Sequence, residues 1–217
     1  MYYLYDKLTE IKKTTSFLVS YDTEYDVHLF LGYYFKQGDG EKIHDSLRQF
    51  KNNVPSVRTK WINLVVSQLD KLKTSKIIPN IDVILRSLSS SETSYTENTP
   101  LSALANKISA LYEAPIAKNL ITKTRRTKKL SFISKKADRF TEIDGVFQIV
   151  PDVIDLNNKV LLVIDDIKTS GTTTDYIAQL INANFSPKRL ILLSLAQTNA
   201  YEQYQIETNG RLATALG

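Results

Sequence analysis

Asp165 and Asp166 stand side by side, and after Ile167 come Lys168, Thr169, Ser170, Gly171, Thr172 and Thr173. Small residues let backbone amides approach an anion closely, and Gly171 takes a positive φ without a Cβ clash. The hydroxyls of Thr169, Ser170, Thr172 and Thr173 donate to phosphate oxygens. Two carboxylates beside a phosphate repel it unless they face something neutral or cationic. A sugar diol, or a magnesium ion held through water, meets that need. The residue types read as a phosphate cradle with an acid pair beside it.

Such a constellation has to be held by regular elements on both sides. Val160, Leu161, Leu162, Val163 and Ile164 form an apolar, β-branched run that predicts a central strand buried on both faces. Beyond the loop, Tyr176, Ile177, Leu180 and Ile181 recur at helical spacing up to Asn184 and Pro187. The acids thus lie past the carboxyl end of a strand, where open α/β sheets bind their ligands. The unpaired amides and dipole at the helix start favour a phosphate there.

The remaining chain is read around this centre. Residues 77–85, 116–121, 147–150 and 190–195 are expected as further strands, which with 160–164 predict an α/β fold and a mostly parallel central sheet. Thr99 as N-cap and Pro100 at the next position open a helix with Leu101, Leu104, Ala105, Ile108 and Leu111 on one stripe. Residues 86–99 read as a long Ser/Thr-rich loop. Residues 1–75 are expected as a helical N-terminal extension and 76–217 as the core domain. In the extension, Ile43, Leu47 and Phe50 share a helical face, as do Val57, Trp61, Leu64, Val65, Leu69 and Leu72, with Trp61 as a core anchor. Residues 2–4 suit a short strand or hook and residues 38–40 a turn, whereas residues 27–35 fit neither period. His28 and His44 are too isolated for a metal pair.

With 217 residues, 42% hydrophobic and 24% charged, the chain has the composition of a globular domain, and no apolar run is long enough to span a membrane. There is no cysteine, which excludes disulfides and thiolate–metal sites. The N-terminus lacks the order of a signal peptide, and a cytoplasmic location is expected. Residues 118–139 hold nine basic residues against one acid, a local charge of +8 in a chain whose total is +5. Such a cluster suits a charged connector, a phosphate-rich ligand or non-specific nucleic acid. A longer-than-usual connection is more often functional than structural.

The stretch from Val160 to Thr174 resembles the signature of the type I phosphoribosyltransferases (PRTases), a strand, two acids and a Thr/Ser-Gly-x-Thr loop. The resemblance implies binding of 5-phosphoribosyl 1-pyrophosphate (PRPP), with Lys168, Thr169, Ser170, Gly171, Thr172 and Thr173 around the 5′-phosphate. Asp165 and Asp166 would take the ribose hydroxyls. It also implies Mg2+ as cofactor, held through PRPP, water and the two acids, and transfer of the phosphoribosyl group to a nitrogen base or amine. Arg125 and Arg126 are then catalytic cations on a loop at 122–144, and Arg86 and Ser87 would meet the pyrophosphate. Lys123 to Lys129, Ser131 to Arg139 and Asp144 to Phe147 are similar to the matching run in ComF-like PRTases. The N-terminal zinc finger of that branch is lacking, its Arg-Gly-aromatic-Asn-Gln run is replaced at 96–100, and its loop glutamine is Leu130. These departures imply an alternative, a catalytically degenerate module that binds PRPP or a nucleotide. That module would dock a protein through the N-terminal helices or nucleic acid through 118–139, in DNA uptake, recombination or defence. A homodimer is a further expectation. The region holding Tyr201 and Tyr204 has no motif that names the acceptor base.

Overall fold

The computed structural model describes residues 14–20, 24–34 and 41–198. Expectations for residues 2–4, 38–40, Tyr201 and Tyr204 lie outside them. The central sheet has five strands. They are β1 (Leu18–Ser20), β2 (Val27–Tyr34), β3 (Val83–Arg86), β6 (Val160–Lys168) and β7 (Arg189–Thr198), in the order β1-β2-β7-β6-β3. Every pairing is parallel except β1 with β2. The fold is therefore mixed α/β with a mostly parallel sheet flanked by helices.

Each face of the sheet has its own core. Leu29, Leu31, Ile84, Leu162, Ile164, Ile191 and Leu193 pack against three helices, α1 (Glu41–Lys51), α2 (Pro55–Thr74) and α3 (Pro100–Tyr112). Trp61 is fully buried there and its indole N–H donates to Ser46 Oγ at 2.9 Å, which fits the anchor expected of it. On the opposite face Val83, Leu85, Leu161, Val163 and Leu192 meet Ile177 and Ile181 of α5 (Thr172–Asn184). The same face is covered by Ile143 of α4 (Lys136–Ile143) and Phe147 of β5 (Phe147–Ile149). α3 begins as its sequence dictates, with Thr99 capping the Ser102 amide and Pro100 following.

Three expectations are corrected. The N-terminal part is not helical throughout, since Leu18–Ser20 and Val27–Tyr34 are strands of the central sheet and β2 pairs with β7 along most of its length. Residues 77–85 give a strand only from Val83, because Ile77, Ile78 and Ile81 turn into the helical face as loop residues. Residues 116–121 touch the main sheet by a single bridge, Ile116 to Ile84. The chain then forms β4 (Ile121–Lys123), whose partner β5 runs antiparallel in a separate two-stranded sheet. The third expected strand is thus an arm of a hairpin.

Candidate functional site

β6 runs on through both acids, so Asp165 and Asp166 are strand residues at its carboxyl end, still paired with Ser194 and its neighbours on β7. Ser87, next after β3, donates its hydroxyl to Asp165 Oδ1 at 2.6 Å, and the Asp166 amide donates to the same oxygen at 3.0 Å. Asp166 Oδ1 accepts from the Ile167 amide at 2.6 Å, and Asp166 Oδ2 lies 3.1 Å from the ammonium of Lys51. Burial, and after it the neighbouring charge of Asp166, lifts the Asp165 carboxyl to about 6. Burial works against the Lys51 ammonium, but the Asp166 carboxylate outweighs it and holds Lys51 above its ordinary value. The structure therefore brings together Asp165, Asp166 and Ser87, with Lys51 added.

The loop that follows ends at Gly171, which caps α5 with φ +79°. A Cβ there would lie 2.8 Å from both carboxylate oxygens of Asp175, so a side chain would have to displace Asp175 as well as adopt an unfavourable backbone torsion. Asp175 also lies 3.8 Å from Lys168, whose ammonium is pushed down by burial. The Ser170 and Thr172 hydroxyls are 2.8 Å apart, and Thr174 bonds back to the Gly171 carbonyl. Among the described residues, the amides of Ser170, Gly171, Thr172 and Thr173 make no backbone–backbone hydrogen bond outside the helix's own ladder. These four successive amides lie where a helix begins, beside two acids at the end of a parallel strand. That geometry can hold an anion and, next to it, a group rich in hydroxyls.

Arg86, expected to meet the pyrophosphate, is engaged within the protein. Its side chain is 1% exposed and all five N–H donors are spent, on Ser102 Oγ, the Ser87 carbonyl, both Glu92 oxygens and the Thr96 carbonyl. Its guanidinium also stacks 4.4 Å from the Tyr95 ring centroid. Arg86 is the tie that folds residues 87–99, and no N–H remains for a ligand. Lys123 acts with it, buried and bonded to the Ser89 and Ser90 carbonyls, and burial lowers its ammonium to about 8.

The expected catalytic cations stand elsewhere. Arg125 is held by the Glu142 carboxylate and carbonyl at 2.8 and 2.9 Å, and Arg126 is exposed. Neither touches the acid pair. Within the basic stretch Lys118 pairs with Glu97, and Arg139 is buried with its Nε on the Ile133 carbonyl. Arg126, Lys128, Lys129 and Lys135 are exposed. His28 is buried with its ring nitrogens at 3.1 Å from Ser20 Oγ and 2.7 Å from Ser194 Oγ, a structural role. Among the described residues no group of three or more His, Cys, Asp or Glu is placed to hold a metal, and no helix is long and apolar enough to cross a membrane. Lys51 was not foreseen from sequence. It lies 115 positions before Asp166 in the chain, and nothing local marks it.

No family model and no curated protein matches the chain. Solved structures that it resembles include a hypoxanthine phosphoribosyltransferase from Staphylococcus aureus, with a TM-score of 0.37, 16% identity and 64% of each chain covered. A second is an allosteric regulatory enzyme of purine biosynthesis, with a TM-score of 0.39, 12% identity, and 74% of this chain and 37% of that one covered. A third is an adenine phosphoribosyltransferase from Trypanosoma brucei in complex with AMP, pyrophosphate and ribose-5-phosphate. It has a TM-score of 0.41 and 13% identity, covering 92% of this chain and 82% of that one. The chain spans less than two thirds of the length of the first two.

Proposed function

We propose that the chain is a PRTase-like protein that binds PRPP at the end of β6. The observation that carries this is the helix start at the positive-φ Gly171, with the small polar run of residues 169–173 around it, directly after the acid pair at the end of β6. In this reading the amides and hydroxyls of that run grip the 5′-phosphate. Asp166, and Asp165 steadied by Ser87, accept from the ribose hydroxyls. Transfer to a nitrogen base would then displace pyrophosphate at ribose C1, through an oxocarbenium-like state that the protein serves by positioning and charge. The exposed Arg126, Lys128, Lys129 and Lys135 are cations of the 122–144 segment available to meet a leaving pyrophosphate.

Mg2+ fits this scheme as a companion of the diphosphate. Bound directly by Asp166 it would compete with the Lys51 ammonium at Oδ2, while Asp165 Oδ1 and Asp166 Oδ1 already accept from Ser87 and two amides. A second reading is favoured by the spent Arg86 and the Glu142-bound Arg125. It is a module that keeps the sugar-phosphate site without turnover, and docks a protein or nucleic acid in DNA uptake, recombination or defence in the ComF-like manner. Pyrophosphate release from PRPP with a panel of purines, pyrimidines and amines separates the two. Release with one acceptor supports the transferase, and calorimetric binding of PRPP without release supports the module. Absence of PRPP binding rejects both.

A further inference from the structure

We infer that Lys51 supplies, from within the chain, the positive charge that the acid pair would otherwise draw from a divalent cation, so that a sugar phosphate binds here without one. The sugar-phosphate part rests on the reading above; the placement of Lys51 does not.

Lys51 is the last residue of α1, and its aim is fixed by what lies before it. Ile43, Leu47 and Phe50 are buried in the helical-side core, at 2%, 0% and 1% exposure, so α1 cannot roll without opening that core. The ring of His44 stacks on Tyr34 at 4.9 Å, pinning the helix to the carboxyl end of β2. The Lys51 ammonium thereby stands 3.1 Å from Asp166 Oδ2. The other oxygen of Asp166 takes the Ile167 amide, and Asp165 Oδ1 takes two donors. A magnesium-sized ion needs carboxylate oxygens at about 2.0–2.1 Å and, to bridge both acids through Asp166 Oδ2, would have to expel the ammonium there. Lys168, the other cation near the loop, lies beside Asp175. Lys51 therefore halves the charge of the acid pair. Its side chain is 44% exposed, so water reaches it beside the acid pair.

The test uses the full chain and the variants Lys51→Met, Lys51→Arg and Lys51→Met with Asp166→Asn. Mn2+ alone is titrated, and binding is read from loss of the free-ion paramagnetic resonance signal. Lys51→Met is expected to bind Mn2+ about tenfold more tightly than the parent, the effect of removing one competing charge. Lys51→Arg should stay at the parent level, and the double variant should lose the gain. Equal Mn2+ affinity in parent and Lys51→Met overturns the inference. In parallel, ribose 5-phosphate is titrated by calorimetry in EDTA and in Mg2+. The parent should bind equally in both, whereas Lys51→Met should weaken about tenfold in EDTA and recover in Mg2+. A parent that needs Mg2+ overturns the inference. A parent that binds ribose 5-phosphate in neither buffer overturns the proposed function, while the Mn2+ titration still decides the placement of Lys51.

Discussion

At Gly171 φ is +79° and an added Cβ meets the Asp175 carboxylate at 2.8 Å, so substitution there carries a torsional cost and forces the Asp175 side chain to move. Gly171→Ala should destabilise the fold by about 1–2 kcal/mol in urea denaturation, and Gly171→Val by more. The acid pair offers a separate test through pH. Because the folded Asp165 carboxyl is lifted to about 6 from 3.8, it holds its proton more tightly folded than unfolded. Its contribution to stability is thus fully present below the unfolded value and lost as pH rises through about 6. Asp165→Asn lacks that dependence. Relative to the parent, it should gain on the order of 1 kcal/mol as the pH of the denaturation series rises from 4 to 7. A difference that stays flat with pH would show that Asp165 is ordinary. The direction is opposite for His28, which burial pushes down to about 3. Its contribution is present above the ordinary imidazole value and lost as pH falls through that window.

Elements explain why Arg86 matters to the fold. It joins the end of β3, the start of α3 through Ser102, and residues 87–99 through Glu92 and Thr96. Arg86→Ala should cost about 3–5 kcal/mol, because the largely buried Glu92 keeps only the Ser89 amide and loses its counter-charge. Arg86→Lys should restore little, since an ammonium cannot reproduce the planar fork. Hydrogen exchange across residues 87–99 should rise in both. Local pattern made the acid pair, the loop, α3 and α5 legible, because each is specified by neighbours a few residues apart. β2 was illegible for a physical reason. It is central, with Leu29 and Leu31 in one core and His28 and Phe30 buried on the other side, so no polar alternation marks it. The roles of Arg86, Lys123 and Arg125 were hidden likewise, since charge in a sequence does not say which carboxylate or carbonyl will claim it.

On the scale of the whole molecule, the N-terminal region is structural tissue of the sheet. β2 pairs with β7, and α1 and α2 fill one of the two cores. A chain beginning at residue 76 should therefore lose cooperative unfolding and expose apolar surface to a hydrophobic dye. A truncated chain that unfolds cooperatively would restore the division at 75/76. The same architecture carries Lys51 to Asp166, so the site draws on both halves of the chain. The basic stretch presents less free charge than its composition implies, because Lys118, Lys123, Arg125 and Arg139 are engaged within the fold.

Calorimetric titration of PRPP into the parent chain, into Asp165→Ala with Asp166→Ala, and into Gly171→Val addresses the loop and the acids together. Saturable binding by the parent, weakened at least about tenfold in each variant with the fold retained, is the expected result. Failure of the parent to bind, or parent-like affinity in both variants, would contradict a sugar-phosphate site at the end of β6.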